Sequence, residues 1–432
     1  MGMITLKIPA DKSISHRAVL LNLCAEGKKA VIKNFLFSED TLKTVDFAKN
    51  IGAKISIDRT RKKLILEKNS LKNPLKEIYC GNSGTTARLA IALLAGAGLR
   101  GEFTGDKSLS KRPMKRITEM LNKMNGFVFD NKGKLPVFVA ESRLSSIKYF
   151  SELGSAQQKT AFLIASLFTS GKSEYVYKYP SRNHTETMLE YMGVKLDIVE
   201  PYNEYGGMVT ILDKKNFQMK DFTVPGDFSS AAFFIVLGLL GKNKKSLRLK
   251  KINLNPTRTG LIETLKKMGA DIKIENKKTD FEPYGDIIVN HSKLNGIEVN
   301  DKKIIPSMID EIPILAVACA FAGSESLISG INELKFKESD RLQKICDILD
   351  FLGTDYQCGE DFIKIFPQNK SKRTKKNKIN TEGDHRIIMS AVIASVLKNR
   401  SLKLDNISDI NVSFPDFFEK LKESEYEFKY RN

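Results

Sequence analysis

Six apolar stretches dominate the hydrophobic pattern of the chain, and each one begins at a polar segment. Apolar and small residues occupy nearly every position within them, which predicts α-helices that are buried on all sides rather than amphipathic surface helices. Five of the six end in or close to glycine, a common residue at helix C-termini. The six stretches are 13–27, 83–98, 155–171, 228–241, 309–323 and 384–397.

A second element follows each of the first five stretches and consists of an amphipathic helix, a glycine and a short alternating strand. Its copies recur roughly every seventy to eighty residues, which predicts about six repeats of one βαβ-containing unit. Solenoid repeats are usually shorter, roughly 20–50 residues, so two globular domains of three repeats each are favoured over a solenoid. The copies are 48–57, 121–129, 189–198, 265–274 and 349–358, with a sixth at 417–428 that lacks the glycine.

Length and composition agree with a two-domain globular protein of the cytoplasm. A chain of 432 residues exceeds one ordinary hydrophobic core. No apolar stretch approaches the roughly 20 residues of a membrane helix, and the start "MGMITLKIP" lacks the pattern of a signal peptide. The five cysteines are odd in number, scattered and without CxxC spacing, so we expect reduced thiols and no disulfide or zinc framework.

The net charge of +19 is compatible with a nucleic-acid-binding protein, with steering of anionic small molecules, or with a lysine-rich surface. The densest basic run, 370–378, contains no aromatic residue, and we interpret it as a solvated loop. Of the 70 basic residues, 54 are lysine and 16 are arginine, so a retained arginine indicates a need for its planar, bidentate guanidinium. Five arginines lie in the motifs described below: Arg17, Arg88, Arg112, Arg341 and Arg386.

The polar starts of the buried helices carry more chemistry than helix capping requires. Capping explains one Ser or Asp at each start, but it does not explain arginines within the first turns. A helix N-terminus offers free N–H groups and a partial positive charge, so converging N-termini would form a site for anions. We therefore favour an anionic ligand over capping alone.

Nine motifs occur in order along nearly the whole chain, from Lys12 to Phe418, and together they resemble the 5-enolpyruvylshikimate-3-phosphate (EPSP) synthase family. Short motifs such as "KESDRL" carry little weight alone, but the ordered set makes chance implausible. The motifs are "DKSISHRA", "GNSGTTARL", "TGDKSLSKRPM", "GSAQQKTA", "SRNHTE", "PGDFSSAAFF", "IDEIP", "KESDRL" and "EGDHRIIMS".

The resemblance implies an α/β fold in which each of two domains is an inside-out α/β barrel of three repeats. It places the first, discontinuous domain at residues 1–12 plus 228–432 and the second at 13–227, with the active site in the cleft between them. It also implies transfer of the enolpyruvyl group of phosphoenolpyruvate to the 5-hydroxyl of shikimate 3-phosphate in the shikimate pathway. We expect a monomer without metal, organic cofactor, nucleic-acid or membrane partner, which glyphosate inhibits in competition with phosphoenolpyruvate.

The resemblance also assigns binding residues for two anionic substrates. For shikimate 3-phosphate these are Lys12, Ser13, Arg17, Ser155, Ala156, Gln157, Ser181, Asp310 and Lys337. For phosphoenolpyruvate they are Lys12, Gly84, Arg112, Gln157, Arg341 and Arg386. For His385, between Asp384 and Arg386, we expect an orienting role rather than direct catalysis.

The catalytic residues implied by the resemblance are Asp310, Glu338 and Lys12. Asp310 resembles the base that takes the proton of the attacking hydroxyl, and Glu338 resembles the group that works at the methylene carbon of phosphoenolpyruvate. Nearby cations should lower the pKa of Glu338, which makes Lys12 an alternative acid. The sequence leaves open which of the two delivers the proton.

Three positions depart from the family pattern, and two other functions compete with the one that the family implies. Val412 stands where many relatives have lysine, Ala156 replaces the second serine of a Ser-Ser-Gln motif, and Leu89 follows Arg88 where some members have proline. The related UDP-N-acetylglucosamine enolpyruvyl transferase is expected to carry Lys-Asn, whereas Ser13 follows Lys12 here. A noncatalytic basic binding protein would have no need of Asp310 and Glu338.

Overall fold

The computed structural model describes residues 2–152, 154–204, 206–301, 304–367 and 377–430. The chain divides into two compact units, of which unit 1 is Met1–Pro9 with Pro225–Asn432 and unit 2 is Ala10–Val224. The chain therefore leaves unit 1 after Pro9 and returns to it after Val224. The boundaries expected from the sequence lie three residues further along at each crossing.

Unit 2 alternates helices with short strands. Its helices are α1 (Lys12–Cys24), α2 (Glu39–Asn50), α3 (Gly84–Gly96), α4 (Lys115–Lys123), α5 (Ala156–Ser166) and α6 (His184–Tyr191). Its first strands are β2 (Lys29–Lys33), β3 (Lys54–Asp58), β4 (Lys63–Glu67), β5 (Ile78–Tyr79), β6 (Gly101–Thr104), β7 (Phe127–Asn131) and β8 (Lys134–Ala140). The remaining strands are β9 (Lys148–Ser151), β10 (Ser173–Tyr177), β11 (Lys195–Val199), β12 (Gly207–Asp213) and β13 (Phe222–Thr223).

Unit 1 begins with β1 (Met3–Leu6) and resumes after the return crossing. Its helices are α7 (Phe228–Leu240), α8 (Gly260–Lys267), α9 (Ile304–Met308), α10 (Ile312–Ala320), α11 (Arg341–Leu352), α12 (His385–Lys398) and α13 (Phe417–Glu423). Its further strands are β14 (Ser246–Asn253), β15 (Ile272–Thr279), β16 (Pro283–Val289), β17 (Glu298–Val299), β18 (Ser326–Ser329), β19 (Tyr356–Cys358), β20 (Phe362–Ile365), β21 (Lys378–Ile379) and β22 (Lys403–Leu404).

The four-stranded sheets share one topology. In the sheet β13-β2-β4-β3, the edge strand β13 is parallel to β2, whereas β4 is antiparallel to both of its neighbours. Helix α2 connects β2 to β3, and the hairpin strand β4 inserts between them. The same order recurs in β5-β6-β8-β7, β9-β10-β12-β11, β1-β14-β16-β15 and β17-β18-β20-β19, while β21 pairs in parallel with β22.

The six apolar stretches all form helices, which confirms that prediction. Helices α7 and α10 are buried on nearly every side because they carry almost no charged side chain that would require water. The fifth stretch becomes helical only at Ile312, two residues after Asp310. Pro313 suits the first turn of this helix, because a first-turn N–H has no partner within the helix.

The turn from an amphipathic helix to the following strand needs a left-handed residue. Gly52 and Gly353 provide it in two copies, with φ of 100° and 72°. In the copy at 121–129, Asn125, with φ of 65°, takes that conformation in place of the neighbouring Gly126. Asparagine tolerates this region better than most residues, so the glycine predicted from the pattern is one position away from the residue that turns the chain.

The sequence also predicts a basic loop, no membrane-spanning helix and reduced cysteines. Residues 370–376 of the predicted basic loop lie outside the described part of the chain, and the described remainder begins strand β21 at Lys378. Within the described residues, none of the helices has the length and apolar character needed to cross a membrane. All five cysteines are free thiols.

Candidate functional site

The N-terminus of α1 presents Lys12 and Ser13, which are the first two residues of the helix. Asp11 caps the helix, and its Oδ1 accepts a hydrogen bond of 2.9 Å from the backbone N–H of Ile14. The Lys12 ammonium lies 2.9 Å from Asp40 Oδ2 at the start of α2. This pair is mostly shielded from solvent, so Asp40 fixes where the Lys12 charge lies.

Arg17 joins α1 to two other helices that carry predicted binding residues. Its Nε donates to Thr185 Oγ1 at 2.9 Å, and its Nη2 donates to Thr160 Oγ1 at 2.8 Å. Its Nη1 donates to the carbonyl oxygen of Ser13 at 3.0 Å. Arg17 is only 3% exposed, so part of its guanidinium serves to hold α1, α5 and α6 together.

A buried hydrogen-bond chain continues from α1 through α2 to α3. His16 Nδ1 lies 2.6 Å from Thr44 Oγ1, which lies 2.7 Å from Thr86 Oγ1. Thr86 in turn contacts the N-cap residue Ser83. Burial, reinforced by the charges of Lys12 and Arg17, holds the pKa of His16 well below its ordinary value. These contacts fix the helix starts at Lys12 and Gly84 relative to each other.

Gly84 is the first residue of α3 and lies against two arginines. A Cβ atom at this position would stand 2.7 Å from Arg88 Nη1 and 3.3 Å from Arg112 Nη1. Arg112 itself is held by Asn82, whose side-chain oxygen and carbonyl oxygen accept from its guanidinium. Glycine therefore allows both guanidinium groups to approach the N-terminus of α3.

Arg88 connects the start of α3 to the start of α5. Its Nη1 donates to Gln157 Oε1 at 2.8 Å, and its Nη2 donates to the carbonyl oxygen of Pro113 at 3.0 Å. Gln157 Nε2 donates to Thr85 Oγ1 at 3.0 Å. Arg88 lies in one of the sequence motifs, but the resemblance assigns it no role. This geometry identifies it as the residue that positions Gln157.

The predicted phosphate-binding residues of α5 and α6 lie at two helix starts. Ser155 is the N-cap of α5 and Ala156 its first residue. Ser181 precedes α6, and its carbonyl oxygen lies 3.4 Å from Lys159 Nζ. Lys159 forms a 2.5 Å ion pair with Glu186, and both side chains are 2% exposed. This buried pair, which the sequence analysis missed, ties α5 to the segment that contains Ser181.

In unit 1, Arg341 gathers three carboxylates at the start of α11. Its Nε lies 2.8 Å from Asp384, its Nη1 2.9 Å from Asp310 and its Nη2 2.6 Å from Glu338. Burial alone would lower the pKa of this arginine, but Asp384, Glu338 and Asp310 raise it further than burial lowers it. Arg341 therefore remains a fixed positive charge that orients both predicted catalytic carboxylates.

Arg386 is held less tightly than Arg341. Its Nη2 lies 3.6 Å from Asp310 Oδ2, and its Nη1 lies 3.5 Å from Glu311 Oε1. The backbone N–H of Arg386 donates to Asp384, the N-cap of α12, at 3.0 Å. His385 is buried at the first position of the same helix. Unit 1 thus brings Asp310, Glu338, Arg341 and Arg386 together.

Lys337 and Val412 are the two remaining positions of interest in unit 1. Lys337 Nζ forms a 2.6 Å ion pair with Glu333, which is half exposed. Val412 ends a short 3₁₀ helix at Ser408–Val412. Among the described residues, no group of three His, Cys, Asp or Glu side chains could hold a metal ion. The contacts described above show that both units contain cations, hydroxyls and backbone N–H groups suited to phosphates and carboxylates.

These features define a class of α/β enzymes that bind small anions at buried helix starts. The chain belongs to the EPSP synthase family: the sequence model described as EPSP synthase (3-phosphoshikimate 1-carboxyvinyltransferase) matches residues 3–421.

Curated relatives and a solved structure agree with this family. The chain is 39% identical to the 3-phosphoshikimate 1-carboxyvinyltransferase of Petrotoga mobilis and 38% identical to that of Bacillus subtilis, in both cases over 96% of each chain. The EPSP synthase structure from Acinetobacter baumannii matches with a TM-score of 0.82 at 33% identity, over 98% of this chain and 95% of that one.

Proposed function

We propose that this protein transfers the enolpyruvyl group of phosphoenolpyruvate to the 5-hydroxyl of shikimate 3-phosphate and releases phosphate. This is the 3-phosphoshikimate 1-carboxyvinyltransferase reaction, a step in the biosynthesis of chorismate and the aromatic amino acids. The cluster in which Arg341 orients both Asp310 and Glu338 is the observation that carries the proposal. It supplies two fixed carboxylates and a guanidinium, which an addition–elimination at an anionic enol needs.

In the proposed reaction, a proton is added to the methylene carbon of phosphoenolpyruvate and leaves a cationic centre at C2. The 5-hydroxyl attacks C2 and gives its proton to Asp310, which Arg341 holds in place at 2.9 Å. Glu338 or Lys12 delivers the proton to the methylene carbon. The tetrahedral adduct then loses phosphate, and the group that delivered the proton takes one back from the new methyl group, which restores the carbon–carbon double bond and forms the enol ether.

The binding roles are those that the resemblance to the family assigns, and the cations and donors of each unit support them. Arg112, Arg341 and Arg386, with Lys12, Gly84 and Gln157, would bind phosphoenolpyruvate. Shikimate 3-phosphate would contact Lys12, Ser13, Arg17, Ser155, Ala156, Gln157, Ser181, Asp310 and Lys337. For Arg17, the hydrogen bonds to Thr160 and Thr185 favour a contact made by one edge of a guanidinium that also positions α1.

The finer architecture belongs to the same proposal. The order shared by five four-stranded sheets, together with the two-stranded β21–β22 pair, supports six repeats, three in each of two inside-out α/β barrels. By resemblance to the family, the domains 1–12 plus 228–432 and 13–227 contribute to one active site between them. The enzyme would act in the cytoplasm as a monomer, without cofactor or nucleic acid.

The decisive experiment measures phosphate release from phosphoenolpyruvate with and without shikimate 3-phosphate, using Asp310→Asn as the inactive control. We expect release only when both substrates are present. Release that requires UDP-N-acetylglucosamine instead would identify the related transferase, and no release with either acceptor would refute an enolpyruvyl transferase. Strong, salt-dependent DNA binding without turnover would favour a noncatalytic basic protein.

A second measurement tests whether both units act on phosphoenolpyruvate. Arg112→Ala in unit 2 and Arg386→Ala in unit 1 should each raise the KM for phosphoenolpyruvate. An unchanged KM in either variant would remove that unit from the phosphoenolpyruvate site. Size-exclusion chromatography with light scattering checks the proposed monomer.

A further inference from the structure

A buried chain of polar side chains lies behind the predicted catalytic residues of unit 1. It consists of Arg258, in the segment between β14 and α8, Ser229, in the first turn of α7, and Glu311, the residue after Asp310. All three are at most 2% exposed. Burial of two charged side chains is costly unless they are paired, so each of the two charges needs a partner within the fold.

The hydrogen bonds of this chain have only one possible direction. Arg258 Nη2 donates to Ser229 Oγ at 2.6 Å, because a guanidinium cannot accept. Ser229 Oγ must therefore turn its own hydrogen toward Glu311 Oε1, to which it is hydrogen-bonded. Asp227 Oδ1 lies 3.2 Å from the same Arg258 nitrogen and balances its charge. One oxygen of Glu311 is thus fixed from behind by a buried arginine acting through a serine.

The same oxygen of Glu311 faces Arg386. It lies 3.5 Å from Arg386 Nη1, while Asp310 Oδ2 lies 3.6 Å from Arg386 Nη2 on the other side. Direct charge-assisted hydrogen bonds are shorter, about 2.7–2.9 Å. The Arg386 guanidinium therefore lies between two carboxylates and forms a short charge-assisted hydrogen bond with neither of them.

Removal of the Glu311 charge would unbalance this arrangement. Of these two carboxylates only Asp310 would then carry a charge. The guanidinium, whose Nη1 also lies 3.5 Å from the carbonyl oxygen of Asp310, would close on the Asp310 carboxylate toward an ordinary ion-pair distance of about 2.8 Å. Its donors would be turned away from an incoming anion. The other oxygen, Glu311 Oε2, is buried without a hydrogen-bond partner among the described residues, so Glu311→Gln removes the charge without breaking a second bond.

We propose that Glu311 is a positioning residue for phosphoenolpyruvate, with Ser229 and Arg258 as its supports. It holds the Arg386 guanidinium away from Asp310 and so keeps Arg386 available to the carboxylate or phosphate of the substrate. This inference rests on the proposed function, because it assigns Glu311 a task in binding the same substrate.

The test compares Glu311→Gln with the wild type and with Glu275→Gln, which removes an exposed, arginine-paired carboxylate of the same unit. We expect Glu311→Gln to raise the KM for phosphoenolpyruvate about tenfold while kcat changes less than about threefold. The control should leave both constants unchanged. An unchanged KM in a folded Glu311→Gln variant would overturn the proposal.

A double-mutant cycle separates positioning from general loss of structure. If Glu311 acts through Arg386, Glu311→Gln should change the KM by less than about twofold in an Arg386→Ala background. A full second loss of about tenfold would show that Glu311 acts elsewhere and would refute the proposal. Inactive wild-type protein would instead refute the proposed function, so the two failures are distinguishable.

A milder variant keeps the proposal testable if Glu311→Gln does not fold. Ser229→Ala leaves the Glu311 charge in place and removes only the hydrogen bond that fixes it. We expect a rise in the KM for phosphoenolpyruvate of about threefold, smaller than for Glu311→Gln but in the same direction. Wild-type KM in a folded Ser229→Ala variant would exclude this support.

Discussion

Gly84 offers a direct test of the predicted phosphoenolpyruvate site in unit 2. A Cβ at this position would lie 2.7 Å from Arg88 Nη1, whereas ordinary contacts begin near 3.4 Å. Gly84→Ala therefore forces the Arg88 guanidinium back by about 0.7 Å. Because Arg88 is the far end of a flexible side chain, this movement costs the fold little, and alanine is the better helix former.

The substitution should instead weaken the predicted phosphoenolpyruvate site. The Arg88–Gln157 hydrogen bond of 2.8 Å would lengthen to about 3.5 Å, where little of its energy remains. A hydrogen bond to a charged group contributes about 1.5–3 kcal/mol, which corresponds to roughly tenfold to a hundredfold in binding. Arg112 Nη1, at 3.3 Å from the same Cβ, is also crowded.

Steady-state kinetics with phosphoenolpyruvate and shikimate 3-phosphate varied in turn provide the assay. We expect Gly84→Ala to raise the KM for phosphoenolpyruvate about tenfold to a hundredfold, with an unchanged melting temperature. Gly323→Ala is the matched control, since its Cβ would meet nothing closer than 3.7 Å. If Gly84→Ala binds phosphoenolpyruvate like the wild type, the assignment of this helix start to that substrate is wrong.

Three further predictions follow from the same structure. Asp310→Asn and Glu338→Gln should each lower kcat about a hundredfold or more with native circular dichroism; wild-type rates would remove their proton-transfer roles. Because the folded pKa of His16 lies below its ordinary value of 6.5, the unfolded state binds that proton first. The contribution of His16 to the free energy of unfolding should thus be fully present above about pH 6.5 and should fall by up to ~1.4 kcal/mol per pH unit below it. Urea titrations of His16→Gln should lack this component of the pH dependence. Lys159→Met should destabilise the protein by about 3–5 kcal/mol because it strands Glu186 in the core, and Lys159→Met combined with Glu186→Leu should recover most of that loss in the same titrations.

The helices of this protein were predictable because their signal is local. A run such as "FSSAAFFIVLGLLG" has nothing to expose to water, so its burial and its helical form follow from composition and periodicity. The limits of these elements were less predictable. The fifth apolar stretch begins its helix at Ile312 rather than at Asp310, and Asn125 rather than Gly126 makes the left-handed turn.

The partners of the charged residues could be identified only from the folded structure. Asp40 lies 28 residues from Lys12 in the chain, and Arg258 lies 29 residues from Ser229, through which it reaches Glu311. The excess of lysine marked every arginine as a residue of interest, and Arg258 satisfied that criterion without lying in a recognised motif.

The sequence by itself determined where the buried helices lie, which family the chain resembles and which side chains bring charge to the helix starts. Only the tertiary structure decided that Arg341 holds Asp310 and Glu338, and that Arg386 lies between Asp310 and Glu311. The physical reason is one of range. Helices arise from hydrogen bonds and periodicity within a few residues, whereas partners of a buried charge are chosen by packing between segments far apart in the chain.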